Sequence, residues 1–413
     1  MTEKKRIQSF AAFGIELEYM LVDRESLQVR AVADRVLATA AGKPTSDFES
    51  GPITWSNELA LHVLEIKVSK PTSDLVSLAD RLQLGIQQLQ PALEANNVQL
   101  LPTGMHPWMD PTRETQLWPH ECAEIYQAYH NLFNCHSHGW SNVQSVHLNL
   151  PFADDEQFAR LHAAVRIILP ILPALTASSP IIEGQPGPWR DTRMLKVRDH
   201  CQKIPFLTGD LVPEPIFDEA TYRAQIFARL KQVIQPHDPA GVFAADFLNS
   251  RGAIARFDRG SIEIRVMDVQ ECPAFDIAVC VAVIAVLKML VSEKWQPLAE
   301  QQSQPTKPLA KLLKQTSESA EATVIDDPSF LRQFGVSGNS IRADDLWRHI
   351  LTDAGKHEPM LNDFTTQLKT ILQHGSLATR IVNSVDGEYR PERLREIYRL
   401  LTGCLVSGKP FLP

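Results

Sequence analysis

The stretch Gly14-Ile-Glu-Leu-Glu-Tyr-Met-Leu-Val-Asp23 alternates apolar and acidic residues from Ile15 to Tyr19, and its reading decides the architecture. A β-strand sends successive side chains to opposite faces, so Ile15, Leu17 and Tyr19 share one face while Glu16 and Glu18 share the other. Two carboxylates side by side repel each other unless water solvates them or a cation sits between them. The alternation returns in Ser145-Val-His-Leu-Asn-Leu150, where His147 and Asn149 share the polar face, and in Ser261-Ile-Glu-Ile-Arg-Val-Met-Asp268, where Glu263 and Arg265 do. Three distant strands therefore offer groups that bind metals or phosphates.

A fourth segment, Asn57-Glu-Leu-Ala-Leu-His-Val-Leu-Glu-Ile66, adds Glu58 and Glu65. Seven residues apart, they would lie on opposite faces of a regular strand, so a bulge or bend is needed to bring them together. Glu16, Glu18, Glu58, Glu65 and Glu263, with His147 as the nitrogen donor, form a hard, oxygen-rich set. Such a set suits magnesium rather than a zinc–thiolate centre. Arg265 alternates with Ile264 and Val266 on its strand, and an arginine on a core strand needs an anion, here a phosphate or a substrate carboxylate. The stretch Gly184-Gln-Pro-Gly-Pro-Trp-Arg-Asp-Thr-Arg193 has turn composition ending in cations, which suits a loop over an anionic substrate. His120, Cys122, His130, Cys135, His136 and His138 have the composition of a zinc site, but their spacings match no compact zinc pattern.

At 413 residues, 44% apolar and 22% charged, the chain can bury one large core plus an accessory region. A net charge of −8 without a dense Lys/Arg run argues against a nucleic-acid partner. The six cysteines show no Cys-x-x-Cys pairing, and reduced thiols in a cytoplasmic protein are the expected state. The first residues carry charge without a following apolar run, so no secretory signal is expected. The most apolar run, Ala278 to Leu287, is about half a bilayer span and reads as a buried helix, with no membrane partner.

Pro71-Thr-Ser-Asp74 carries helix-start chemistry, and Leu75, Leu78, Leu82, Ile86, Leu89 and Leu93 follow at helical spacing. A second helix begins near Asp154 and is bent or ended by Pro170 and Pro173. The Gln/Pro/Ser-rich stretch 296–308 reads as a linker, dividing residues 1–295 from a helical region, 309–413.

The order and spacing of these motifs resemble the glutamate–cysteine ligase family 2 of ATP-dependent carboxylate–amine ligases and, more distantly, glutamine synthetase. The resemblance rests on Gly14-Ile-Glu-Leu-Glu18, Glu58 and Glu65, His147-Leu-Asn149 and Glu263-Ile-Arg-Val-Met-Asp268. Leu101-Pro-Thr-Gly-Met-His-Pro107, Ala177-Ser-Ser-Pro180 with Gly184, Gly187 and Arg193, and Ile371-Leu-Gln-His-Gly-Ser-Leu-Ala-Thr-Arg380 support it. Where many members of that family carry a second histidine, this chain has Asn149.

The resemblance implies an α+β, glutamine synthetase-like catalytic fold: a curved, mainly antiparallel sheet forming an open funnel, with helices outside. It implies a ligase that joins a carboxylate, glutamate first, to an amine through an acyl phosphate, using ATP and magnesium, or manganese in its place. Glu18, Glu58 and Glu65 would hold one ion on the amino-acid side, and Glu16, His147 and Glu263 another under the β- and γ-phosphates. Arg265 would contact the transferring phosphate, Arg193 the substrate carboxylate, and Asn149 the nucleotide phosphate or ribose. Arg251 and Arg256 resemble the paired arginines that glutamine synthetase places near the nucleotide phosphates. Asp268, out of phase with Glu263, reads as a structural hydrogen-bonder at the strand end. Two other readings stand beside the ligase: phosphate transfer to a small amine, and an inactive nucleotide-binding protein of the same fold. The amine acceptor and self-association into a homo-oligomer are left open.

Overall fold

The computed structural model describes residues 6–239 and 241–412. Its centre is β1, Gly14–Asp23, whose alternation is realised as read: Ile15, Leu17 and Tyr19 are wholly buried, and Glu16 and Glu18 face the other way into a cavity. Antiparallel partners flank β1 on either side. The strands β2 (Asp47–Ser50), β3 (Ile53–Asn57) and β4 (Val63–Val68) form one wing, and β6 (Ser145–Pro151) begins the other. Beyond β6 come the strands Ser261–Asp268 and Ala253–Arg256, while β5 (Val98–Leu101) pairs with the far end of β1. The result is an open eight-stranded antiparallel sheet, not a closed barrel.

Register builds the polar face. Glu16 lies opposite His147 on one side and Lys67 on the other, Glu18 opposite Glu65, and Glu263 opposite Asn149. Glu58 and Glu65 belong to no common strand. The chain leaves β3 at Asn57 and re-enters the sheet at Val63, so the anticipated bend is the whole connection between two antiparallel strands.

The apolar face is closed by helices. Leu75–Ala95 starts where Asp74 accepts from the Ser77 N–H at 3.1 Å, and it buries Leu75, Leu78, Leu82, Ile86, Leu89 and Leu93. Asp155–Ile168 is capped by Asp154 in the same way; Pro170 then lies in a single 3₁₀ turn and Pro173 opens the next short helix. Pro273–Val291 packs against both long helices. Its 19 residues make it the one helix among the described residues long and apolar enough to cross a membrane, longer than the run Ala278–Leu287 suggests. It is buried in this fold, under the sheet.

The segment 296–308 carries the short helix Leu298–Gln302, with Gln301 buried and donating to the Leu290 carbonyl at 2.8 Å. The C-terminal helices reach back to the core: Trp347 Nε1 donates to the Ile171 carbonyl at 2.9 Å. Arg380 forms a fully buried ion pair with Glu271 and donates to the Phe411 carbonyl at 2.7 Å. The stretch Gly184–Arg193 is not one loop. Gln185–Pro186 pairs with Ile181–Ile182 in a small hairpin, and Arg193 lies in the first turn of the helix Thr192–Asp199, which Asp191 caps.

Candidate active site

One cavity of about 650 Å³ gathers Glu16, Glu18, Glu58, Glu65, His147, Glu263, Arg193, Arg251, Arg256 and Arg265. Its floor is the polar face of the sheet. Its roof is the helix Ala123–Phe133, which presents Tyr126 and Tyr129, and the segment around Phe243 and Phe247. Tyr129 ties the two roof pieces together by donating to the Phe247 carbonyl at 3.1 Å.

On the floor, Glu16, Glu65 and His147 each bring a ligand atom to within 4.8 Å of the others. This trio takes one member from the first set implied above and two from the second. Lys67 explains the difference: it pairs with Glu65 two residues earlier on β4 and stands opposite Glu16 in the register, so it draws the Glu65 carboxylate toward Glu16. His147 Nδ1 is 3.3 Å from Glu16 Oε2, and its Nε2 is 2.8 Å from Ser145 Oγ and 3.8 Å from Glu18 Oε1. Glu18 Oε2 accepts from Ser145 N at 2.7 Å and Ser145 Oγ at 2.9 Å. Asn149 Nδ2 donates to Glu16 Oε1 at 3.2 Å. Glu263 stands apart from the trio, held between Arg256 and Arg265 at 3.2 Å from each.

The electrostatics show too much buried negative charge. Burial and the charges of Glu18 and Glu65 push the Glu58 carboxyl up to about 8. Burial and the Glu16 charge push Glu65 up to about 7. Burial would also raise Glu16, but its hydrogen bond to His147 and the His147 and Lys67 charges outweigh that and bring it down to about 2. His147 is raised to about 9: burial lowers it, and the Glu18 charge and the Glu16 hydrogen bond more than reverse this. Burial likewise raises Glu263, and the charges of Arg265, His147 and Arg256 pull it below its ordinary value. Converging carboxylates with one imidazole, two of them raised by burial and by their acidic neighbours, fit a hard divalent cation.

Arg251 borders the cavity, but its guanidinium is engaged elsewhere. Both Nε and Nη2 bond to Glu214 at 2.6 Å, and Nη1 bonds to Asn249 at 3.1 Å, so it braces the cavity wall. Arg265 is partly open to the cavity. The histidine and cysteine stretch 120–138 supplies part of the roof; His130 and His136 rings lie 4.4 Å apart, and no metal-type grouping occurs there among the described residues.

The glutamate–cysteine ligase family 2 profile matches residues 12–399. The chain belongs to the glutamate–cysteine ligase family 2. An uncharacterized protein of Archaeoglobus fulgidus is 32% identical over 317 residues, covering 75% of this chain and 85% of that protein. A Salinispora arenicola protein, provisionally named glutamate–cysteine ligase 2, is 26% identical over 275 residues, which are 65% of this chain and 63% of that one. Among solved structures, the glutamate–cysteine ligase of Francisella tularensis, crystallised with AMP, superposes with a TM-score of 0.59 at 13% identity, over 98% of this chain and 90% of that one. The fold is thus the α+β, glutamine synthetase-like one, and family membership supports a ligase of the glutamate–cysteine ligase type.

Several floor and roof residues escaped the motif reading. Lys67 shares the polar face of β4 with Glu65, a signal available from alternation alone. Ser56 and Ser145, which donate to Glu65 at 2.8 Å and Glu18 at 2.9 Å, could be read from the same period. The roof tyrosines could not, because nothing local places the helix Ala123–Phe133 over the sheet.

Proposed function

We propose that this chain is an ATP- and magnesium-dependent carboxylate–amine ligase that forms an amide, γ-glutamyl first, through an acyl phosphate. The observation that carries this reading is the pairing in one cavity of a cation-seeking floor, Glu16, Glu65 and His147 within 4.8 Å, with the anion-seeking Arg193, Arg256 and Arg265. Two anions, a carboxylate and a nucleotide triphosphate, must meet before the first bond forms, and such a cavity offsets their repulsion from both sides. The names of the family and of its relatives favour glutamate as the carboxylate.

Glu16, Glu65 and His147, with Glu18, Glu58 and Glu263 around them, would hold magnesium or manganese. When bound, the ion would neutralise the phosphate oxygens and the charge that develops during phosphoryl transfer. The substrate carboxylate would then attack the γ-phosphorus and release ADP. The amine nitrogen would attack the acyl carbon, phosphate would leave, and the nitrogen would lose a proton. Arg193 would hold the substrate carboxylate and Arg265 the transferring phosphoryl group, where a fixed cation is worth most. Arg256, bonded to Glu263, would extend that positive surface toward the nucleotide. Tyr126 and Tyr129 would exclude water that could hydrolyse the acyl phosphate. In this reading residues 1–295 form the catalytic part and 309–413 its helical support.

The test is hydroxamate formation from ATP, magnesium and hydroxylamine with a panel of free carboxylic acids. Hydroxamate and equimolar ADP with L-glutamate are expected. A phosphorylated amine in place of an amide would turn the reading into a phosphotransferase, and bound ATP with no product from any acid would overturn it.

A further inference from the structure

Motifs that lie outside the carboxylate floor converge on one buried arginine. Asp268, at the end of the Ser261–Asp268 strand, is fully buried and pairs with Arg193 through its Nε. Asp268 Oδ2 accepts from Ser178 N and from Ser179 Oγ, each at 2.8 Å, and Ser179 Oγ accepts from the Arg193 N–H at 3.1 Å. Gly104 lies so close that a Cβ there would sit 2.6 Å from both Asp268 carboxylate oxygens, and its own N–H donates to Ser178 Oγ at 2.8 Å. Asp191 caps the helix that carries Arg193, accepting from the Met194 N–H at 2.9 Å. The motifs around Gly104, Ser178, Asp191 and Asp268, scattered along the sequence, thus meet at one point.

The arginine itself faces the cavity. Beyond its bond to Asp268, its Nη1 and Nη2 reach the Arg265 carbonyl at 3.4 Å and 3.5 Å, which leaves two of the five guanidinium N–H groups without a partner among the described residues. A free arginine loses rotamer entropy when it binds an anion, and a fork already fixed by other groups loses less of it. The buried Glu271–Arg380 pair shows what a purely structural pair looks like: Arg380 is fully enclosed and borders no described cavity.

We propose that Asp268 is a positioning residue for substrate recognition: with Ser178, Ser179 and Gly104 it fixes the Arg193 guanidinium so that its remaining N–H groups meet a substrate carboxylate. This rests on the reading above in which Arg193 takes that carboxylate.

The test is steady-state kinetics of the full chain with hydroxylamine as acceptor and the acid that gives hydroxamate, L-glutamate first. Asp268→Asn keeps the shape and removes the charge; it raises KM for the acid about 10- to 100-fold and leaves KM for ATP within about twofold. Arg193→Ala raises the same KM at least as far, and adding Asp268→Asn to it changes little more, as expected for two groups acting as one. Ser179→Ala, a gentler change, raises the acid KM about two- to fivefold. If Arg193→Ala raises the acid KM but Asp268→Asn and Ser179→Ala do not, the positioning role is overturned. Equal damage to the acid and ATP constants in Asp268→Asn also overturns it, because a general brace would behave that way. If Arg193→Ala leaves the acid KM unchanged, the carboxylate reading of Arg193 itself fails. Silence of every acid with the native protein removes the proposed function and this inference with it.

Discussion

At the cavity floor Glu16, Glu18, Glu58, Glu65 and Glu263 share His147, Lys67, Arg256 and Arg265, whereas at the C-terminal packing surface the buried acid Glu271 is matched by its own buried cation, Arg380. Both regions bury charge, and both are dense in hydrogen bonds. Glu271 itself is fully matched: Arg380 bonds to both of its oxygens, the Phe411 N–H lies 3.4 Å from one of them, and burial holds the neighbouring Asp276 carboxyl well above the usual carboxylate range. At the floor the acids are not matched, and the surplus shows as Glu58 pushed up to about 8 and Glu65 to about 7 by burial and by their acidic neighbours. A balanced buried pair holds the fold together. An unbalanced cluster is left for a ligand to complete.

The sharpest way to break this comparison is to remove one charge from each region. Glu65→Gln should lower magnesium-dependent ADP formation about a thousandfold while leaving the thermal midpoint unchanged or higher, since burial and the Glu16 charge hold its carboxyl up to about 7 and its charge costs the fold stability. Turnover within tenfold of the native rate would show that the floor is not catalytic. Arg380→Met should do the opposite, costing about 3–5 kcal/mol in urea unfolding because Glu271 is left buried and unpaired, with the KM values of the remaining folded enzyme unchanged. A loss under about 1 kcal/mol would mean that the pair is not matched as described.

Much of this contrast was legible in the sequence. Strict alternation through Glu16 and Glu18, His147 and Asn149, and Glu263 and Arg265 placed those residues on polar strand faces, because a period of two is a local property of the chain. The helix at Leu75 was equally plain from its cap and spacing. Which carboxylates would share an ion was not, since it depends on register and on Lys67 pulling Glu65 toward Glu16. The partner of Arg251 was hidden for a similar reason: a pair of arginines five residues apart says nothing of Glu214, which arrives from a segment 37 residues earlier. The Ile371–Arg380 motif supported the family resemblance, but that Arg380 meets Glu271 follows from the packing of distant helices.

A third class of buried group sharpens the comparison through pH. His62 and His106 are fully buried with carbonyl partners, Ser141 at 2.7 Å and Leu27 at 2.8 Å, and burial lowers each to about 4, whereas His147 on the floor is raised. Between pH 6.5 and 4 the unfolded chain therefore takes up protons at these two positions that the folded chain refuses. Their contribution is fully present above pH 6.5 and is lost as pH falls toward 4, on the order of 3 kcal/mol for each. Glu58 and Glu65, raised to about 8 and about 7, act in the opposite sense over the same window, so the readout is a difference between chains: His106→Gln should gain in urea midpoint relative to the native chain as pH falls from 6.5 to 4. A difference between the two midpoints that is the same at pH 5 as at pH 7 would show that His106 is not held neutral.

The smallest effect tests the surplus itself. Glu58 sits against the charges of Glu18 and Glu65, so the ion-free protein folds against that repulsion at pH 8. Glu58→Gln should raise stability there by about 1 kcal/mol, a gain of a few degrees at most in the thermal midpoint for a chain of this size. Magnesium should stabilise the native chain by binding only the folded floor, and should stabilise the variant less, because one oxygen donor has lost its charge. The two shifts have opposite signs for one reason: a charge that costs stability without the ion is the charge that holds the ion. If Glu58→Gln lost stability and kept the full magnesium shift, Glu58 would be a brace like Glu271, and the floor would have one ligand fewer.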